Sequence, residues 1–429
     1  MFPPSQEADL RTDAPAVLVV STHAWTQVSR LAFRFWKYGC RISALCAPDS
    51  ELRLAMHVDT CYSFLPWDSL GSLRAAIEQS GAEYLLPGDD LAFALMHKLV
   101  VKYPAYKGLV ERSVGAERSF DILRNRYRTL AEAERLGIRI ARTHPLRCGE
   151  DVEGPAAAER FPLVLKRDGS SGGRGVAIVR DAAELRAQYA RLRLRPRLTF
   201  NLRRLLALDP MAFVESFGME GSGLCAQEKI EGVPATAMFA CWQGRVLGGL
   251  QARVLASQGE TKPAMVIQLM RDERMERAGA LLAESLEISG FFGLDFMLSE
   301  VTGDPYLIEV NPRSTQMGHI QTAGHVDLAG LLWAQWTGRP APEPGDERLG
   351  KVVAFYPFVR ERFPRNKLLM MARSDIAGDD LLVGNRVLRR QSALVKWLRR
   401  KTGWAAFKHL GSARRSPEVH YFKNAGSGY

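Results

Sequence analysis

Apolar runs and mixed stretches alternate along the first quarter of the chain. AVLVVSTHAW, from Ala16, is a short apolar run of the kind a fully buried strand shows. It leads into TQVSRLAFRFWKYG, which reads as a helix closed by Gly39. RISALCAP, TCYSFLPW and AEYLLPGDD read as three further strands, with SLRAAIEQSG as a helix among them. Strands alternating with helices predict a parallel sheet covered by helices. Ligands of such sheets bind beyond the carboxyl ends of the strands, which directs attention to Thr22, His23, Asp89 and Asp90. For each of these, helix capping or an ordinary surface position is the competing reading.

Further on, the pattern changes. FPLVLKRDGSSGGRGV, Phe161 to Val176, reads as a buried strand that ends in Lys166 and runs into a glycine-dense loop. Glycines at 169, 172, 173 and 175 let the backbone N–H groups approach a ligand closely. Such groups gathered in one concavity bind phosphate oxygens, and a lysine at the strand end adds a full positive charge. A second signal spans Gly290 to Arg313, GFFGLDFMLSEVTGDPYLIEVNPR, and predicts a hairpin. Glu309, Asn311 and Arg313 alternate and so share one face, and pairing in a hairpin brings Asp295 to it. Carboxylate and amide oxygens are the hard ligands magnesium prefers. The competing reading is a salt-bridged face with Arg313 on Glu309.

Together these segments resemble the ATP-grasp superfamily of ATP-dependent ligases. Its phosphate loop follows a lysine, as in KRDGSSGGRGV, and its metal-binding element has an acid on one strand and E-x-N on the next, as in LDF followed by IEVNPR. CAQEKIEG, Cys225 to Gly232, resembles the family's adenine-holding hinge strand, and RNRYRTLAEAERLGIRIARTHP resembles the helix and loop that open its domain. The resemblance covers roughly residues 116–340. It implies an α/β fold, α+β in the lid lobe, with a parallel-sheet domain at 1–115, an ATP-grasp domain at 116–340 and a basic extension at 341–429. Within the middle domain the lid lobe is expected at about 161–232 and the metal lobe at about 233–340.

The resemblance also implies roles. ATP would be held by Lys166, by Ser171, Gly172 and Gly173 of the loop, and by Gln227, Glu228 and Ile230 around the adenine. Asp295, Glu309 and Asn311 would ligate Mg2+, with Mn2+ as a substitute. Arg313 would stabilise negative charge on the transferring phosphate, and Arg253, in GGLQARVL, would help hold the reacting groups. Two positions depart from the family pattern. Arg126 stands where a lysine is common, keeping the charge but not the geometry. Pro234 stands where several relatives hold the ribose with an acid. The implied activity joins a carboxylate to an amine through an acyl phosphate. The alternatives are a carboxylase using bicarbonate and an ATP-binding regulator without catalysis.

Composition bounds the rest. The 429 residues are 46% hydrophobic and 24% charged, the balance of an ordinary globular protein of two or three domains. No apolar run reaches the roughly 18 residues of a membrane span, and MFPPSQEADLRTDAP lacks a secretory pattern. Six cysteines without a C-x-x-C pair read as free thiols of a cytoplasmic protein. The net charge of +11 is concentrated: Asn385–Ser416 holds ten lysines and arginines and no acid, and a second cluster spans Arg191–Arg204. Solvated helix faces are the default for such runs. Tryptophans interleaved in VLRRQSALVKWLRRKTGWAAFKHL also suit an anionic membrane surface, and no nucleic-acid module is visible. The expected partners are small-molecule acid and amine substrates, with a homodimer as the family's common assembly. His319 and His325 are not spaced as zinc ligands and read as structural.

Overall fold

The structure, a computed structural model, describes residues 14–23, 25–48, 50–154, 156, 159–169, 175–193, 223–257, 259–322, 326–342, 352–355, 373–374 and 420–422. The expected loop residues Ser171, Gly172 and Gly173, with His325 and the basic 385–416 segment, lie outside these, as does most of the 191–204 cluster.

The N-terminal sheet is parallel, as the alternation predicts. It contains β1 (Ala16–Ser21), β2 (Arg41–Cys46), β3 (Thr60–Ser63) and β4 (Tyr84–Pro87), in the order β3-β2-β1-β4. Every residue of β1 is buried, which is why that strand reads as an unbroken apolar run rather than an alternating one. Helix Thr26–Lys37 turns Val28, Leu31, Ala32 and Phe35 inward, the i, i+3, i+4, i+7 spacing of one helix face. Gly39 beyond its end takes φ +86°, a conformation that favours glycine.

The second sheet is small and antiparallel. It consists of β5 (Thr143–Leu146), β6 (Leu163–Arg167), β7 (Val176–Val179) and β8 (Leu224–Glu228), in the order β5-β8-β6-β7. RNRYRTLAEAERLGIRIARTHP, residues 124–145, reads as a helix and loop, yet Thr143–Leu146 is a strand. THPL carries no alternation that marks it as one, and its pairing with β8 decides its state. This lobe has its own core, built from Leu163, Leu165, Val179 and Leu224 against Leu185 and Tyr189 of helix Ala182–Arg193.

The third sheet is large and mostly antiparallel. Its main strands are β9 (Gly232–Trp242), β10 (Arg245–Ser257), β11 (Ala264–Met270), β12 (Gly290–Ser299) and β13 (Pro305–Asn311), in the order β13-β12-β9-β10-β11. A two-stranded ribbon, β14 (Gln321–Thr322) with β15 (Val326–Asp327), stands apart. The chain's last part returns to the large sheet: β16 (Val352–Ala354) pairs with β11, β17 (Arg373–Ser374) with β16, and β18 (His420–Tyr421) with the end of β10. Phe239, Phe292 and Phe296 of this sheet share a core with Leu18, Leu85 and Phe93 of the N-terminal layer and with Leu282 of helix Glu273–Ser285. The N-terminal and large sheets are therefore fused through packed side chains, whereas the small antiparallel sheet carries a separate core. Among the described residues no helix is long and apolar enough to cross a membrane.

Candidate functional site

β12 and β13 pair as the hairpin predicts, with Asp295 opposite Glu309. The register slips beside that pair, for Phe296 opposes Leu307. Ile308 is the extra residue of a β-bulge, a device that disrupts the ladder locally and re-aims groups. Its carbonyl accepts from the Lys166 ammonium at 2.9 Å and from the Gln227 amide at 3.4 Å. The bulge thus ties β6 and β8 of the small sheet to the acidic strand. Gly169, just past β6, turns the chain with φ +66°.

Four ionic groups converge there. Lys166 is 5% exposed, and burial pulls its ammonium below the usual lysine range while Glu309 opposes that pull. Arg126, first residue of helix Arg126–Arg135, donates to Glu309 Oε1 at 2.7 Å and also to the Arg167 carbonyl. Burial raises the Glu309 carboxyl, but Arg126 and Lys166 outweigh it and hold the group below its ordinary range. Asp295 goes the other way, pushed up to about 6 by burial and by the Glu309 charge. Asn311 donates from Nδ2 to Asp295 Oδ2 at 2.9 Å. The salt-bridge alternative is therefore half met: Glu309 is paired, with Arg126 rather than with Arg313.

Arg313 makes a bidentate pair with Asp90, at 2.8 and 2.9 Å, across the junction with the N-terminal layer. Asp89 beside it is a helix cap, accepting from Ala92 N at 2.9 Å and binding the Thr22 N–H and hydroxyl at 2.7 and 2.8 Å. The capping reading thus holds for Asp89, whereas Thr22 donates to that carboxylate from both its N–H and its hydroxyl. His23 is buried against the same carboxylate, Nδ1 at 3.7 Å.

A cavity of about 350 Å³ opens between the small and large sheets. Lys166, Arg126, Gln227, Glu228 and Ile230 line it, as do Asp295, Glu309, Asn311 and Arg313. Val164, Ile178, Met297 and Ile308 supply apolar surface beside the hinge residues. Arg253 is not brought to it. Register sets Arg253 beside Ala235 and Ala235 beside Phe296, whereas Thr236 pairs with Asp295, so Arg253 lies on the opposite sheet face. There it donates twice to Gln268 Oε1, at 2.6 and 2.8 Å. Strand parity decides this, and it cannot be read before the register of β9 is known. His319 is buried and does not line the cavity.

Sequence reasoning missed Asp168, which accepts from the Asn125 amide at 2.9 Å and from Arg126 N at 3.0 Å and so fixes the start of the helix that delivers Arg126. Its only signal is its place two residues after Lys166. Missed too were Trp25, Phe355 and Phe422, which line the far end of the cavity from three distant segments.

The donor set suits magnesium. Among the described residues no three His, Cys, Asp or Glu side chains cluster as a metal cage. Two adjacent carboxylates and an amide do meet, and magnesium is held by one or two carboxylates together with substrate phosphates. The raised Asp295 carboxyl marks a place where a cation would relieve repulsion.

Comparison with known proteins bears on the fold and on one part of the chain. Residues 209–317 match the family model of the ATP-grasp domain. No curated protein matches the chain. Among solved structures, the biotin carboxylase domain of Hydrogenobacter thermophilus 2-oxoglutarate carboxylase, a dimer in complex with MgADP, ADP and bicarbonate, is 19% identical with a TM-score of 0.56, covering 79% of this chain and 73% of its own. An L-amino acid ligase from Bacillus licheniformis is 17% identical, TM-score 0.54, with 78% and 76% covered. N5-carboxyaminoimidazole synthetase from Staphylococcus aureus, complexed with ADP, is 12% identical, TM-score 0.55, with 79% and 80% covered. At such identities the likeness is one of fold.

Proposed function

We propose that this chain, whose residues 209–317 match the ATP-grasp domain model, is an ATP-dependent ligase that joins a carboxylate to an amine and releases ADP and phosphate. The observation that carries this reading is the convergence of Lys166, Arg126, Asp295, Glu309, Asn311 and Arg313 on one cavity between two sheets. In this reading residues 116–340 hold the nucleotide, and residues 1–115 and 341–429 complete the site for the acid and the amine. Six free thiols are in keeping with a reducing cytoplasm.

The chemistry asks for charge neutralisation and alignment more than for covalent help. Lys166 and Arg126 offset charge on the triphosphate. Asp295, Glu309 and Asn311 would hold magnesium, which supplies further charge neutralisation across the phosphates. A carboxylate oxygen of the acid attacks the γ-phosphorus, the bond to ADP breaks, and an acyl phosphate forms. The amine nitrogen then attacks the acyl carbon, the carbon–oxygen bond to phosphate breaks, and the nitrogen loses a proton. Arg313 faces the transferring group once its pairing with Asp90 loosens. The small sheet, with its separate core, covers the site and keeps water from the acyl phosphate.

The test is ATP-dependent phosphate release over a panel of acids and amines, with Glu309→Gln as control. Activity that survives this substitution undiminished refutes the reading. Labelled bicarbonate entering the product would favour the carboxylase alternative instead.

A further inference from the structure

The hinge end of the cavity carries a charged turn that the phosphate and metal groups leave unused. β10 runs on past its last pairing with β9, at Arg253, as far as Ser257, which pairs with Ala264 of β11. The turn between these two strands is braced from within. The Ser257 hydroxyl donates to the Gly259 carbonyl at 2.7 Å, and Lys262 N donates to the same carbonyl at 3.0 Å. Gly259 itself takes φ +143°. Glu260, the next residue, reaches the ammonium of Lys229, one residue past β8, at 3.2 Å. Glu231 takes the same ammonium at 2.5 Å. Two carboxylates therefore share one lysine. Burial pulls the Lys229 ammonium down, but its bonds to Glu231 and Glu260 outweigh that pull and hold it above the usual lysine range. Glu231 is exposed and does not line the cavity, whereas Lys229 and Glu260 do.

A nucleotide with its base at Glu228 and Ile230 and its phosphates at Lys166 has a sugar between them, and the sugar's hydroxyls are donors that need acceptors. We infer that Glu260 accepts from the ribose hydroxyls of the bound nucleotide and so makes the site select a ribonucleotide over its deoxy counterpart. This rests on the ATP reading and adds to it the residue that recognises the sugar. An ionised carboxylate only accepts, and it has about four lone-pair positions, so the bond to Lys229 leaves acceptor capacity over. The cavity's other carboxylates are placed elsewhere. Asp295 and Glu309 are engaged by Asn311 and Arg126 at the phosphate end, and Glu228 belongs to the hinge. On the β9 side the wall is Pro234 with Met297 opposite it in register, and neither side chain carries an oxygen or a nitrogen. A hydroxyl bonded to a charged group contributes more than one bonded to a neutral group, which suits a carboxylate to this task.

The test is a calorimetric titration of ADP, 2′-deoxyADP and 3′-deoxyADP, each with Mg2+, into the full chain and into its Glu260→Ala variant. In the native chain at least one deoxy nucleotide is expected to bind about tenfold more weakly than ADP, the value of one partly exposed hydrogen bond to a charged group. Glu260→Ala should weaken ADP by the same factor and leave that deoxy nucleotide unchanged, so that the preference disappears. The comparison within one variant guards against indirect effects, because a Lys229 freed of its partner acts on all three nucleotides alike. Equal binding of the three by the native chain overturns the inference while the ATP reading stands. A variant that weakens all three equally and keeps the native preference overturns it as well, and no binding of any nucleotide overturns both. If the preference is lost as expected but no acid and amine pair releases phosphate from ATP, the ligase reading fails while the ribose contact stands.

Discussion

The two ends of the cleft are built on opposite principles. At the β12–β13 end, Asp295, Glu309 and Asn311 crowd against Lys166 and Arg126, so that every charge is partly compensated by another. At the β10–β11–β16 end, Val254, Ile267 and Phe355 offer no charge at all. A buried ionic cluster contributes little net stability, because desolvation offsets much of the attraction. Its presence on a sheet otherwise packed with phenylalanines therefore points to chemistry. The apolar end needs no such explanation, for Val254, Ile267 and Phe355 are buried in one packed core. The comparison teaches that one sheet divides its polarity, with a packed apolar end beside an ionic end that packing alone does not explain.

Substitutions at the two ends should separate accordingly. The largest effect is expected from Glu309→Gln, which removes a charge from the metal ligands and leaves Arg126 and Lys166 without a full counter-charge. A loss in kcat of about a thousandfold follows if charge neutralisation is the main catalytic term, read as initial-rate phosphate release. Lys166→Met should cost about a hundredfold and weaken ADP, measured by calorimetry, because both the cation and its bond to the Ile308 carbonyl go. A polar-end substitution that changed only the acid's KM would break the comparison.

The polar end was largely legible before any coordinates. Alternation put Glu309, Asn311 and Arg313 on one face and a hairpin added Asp295, while Lys166 was brought to the same site only by the family resemblance. Strand register was not legible. It put Arg253 on the far face with Gln268, and it inserted the bulge at Ile308 that joins the small sheet to the acid strand. The apolar end left no mark in the sequence. Trp25, Val254, Ile267, Phe355 and Phe422 come from five separate segments, and each alone reads as an ordinary core or surface residue. THPL was passed over as a strand for the same reason, since only its partner β8 defines it.

Smaller effects sharpen the frontier between the ends. Asp90→Asn removes the bidentate partner that orients Arg313, and about a tenfold fall in kcat/KM for the acid is expected with KM for ATP unchanged. A change in KM for ATP instead would assign Arg313 to the nucleotide end. Met317→Ala, in the packed core, should leave kcat for phosphate release nearly unchanged while lowering stability by about 2–5 kcal/mol, read by denaturant unfolding.

The measurement that bears most directly on the whole account is a calorimetric titration of ADP with and without Mg2+, in the native chain and in Glu309→Gln. Two pieces of chain closing on one nucleotide predict tighter binding with the metal present and the loss of most of that gain in the variant. Equal affinities in all four titrations would contradict it, for the acidic hairpin would then have no part in holding the phosphates.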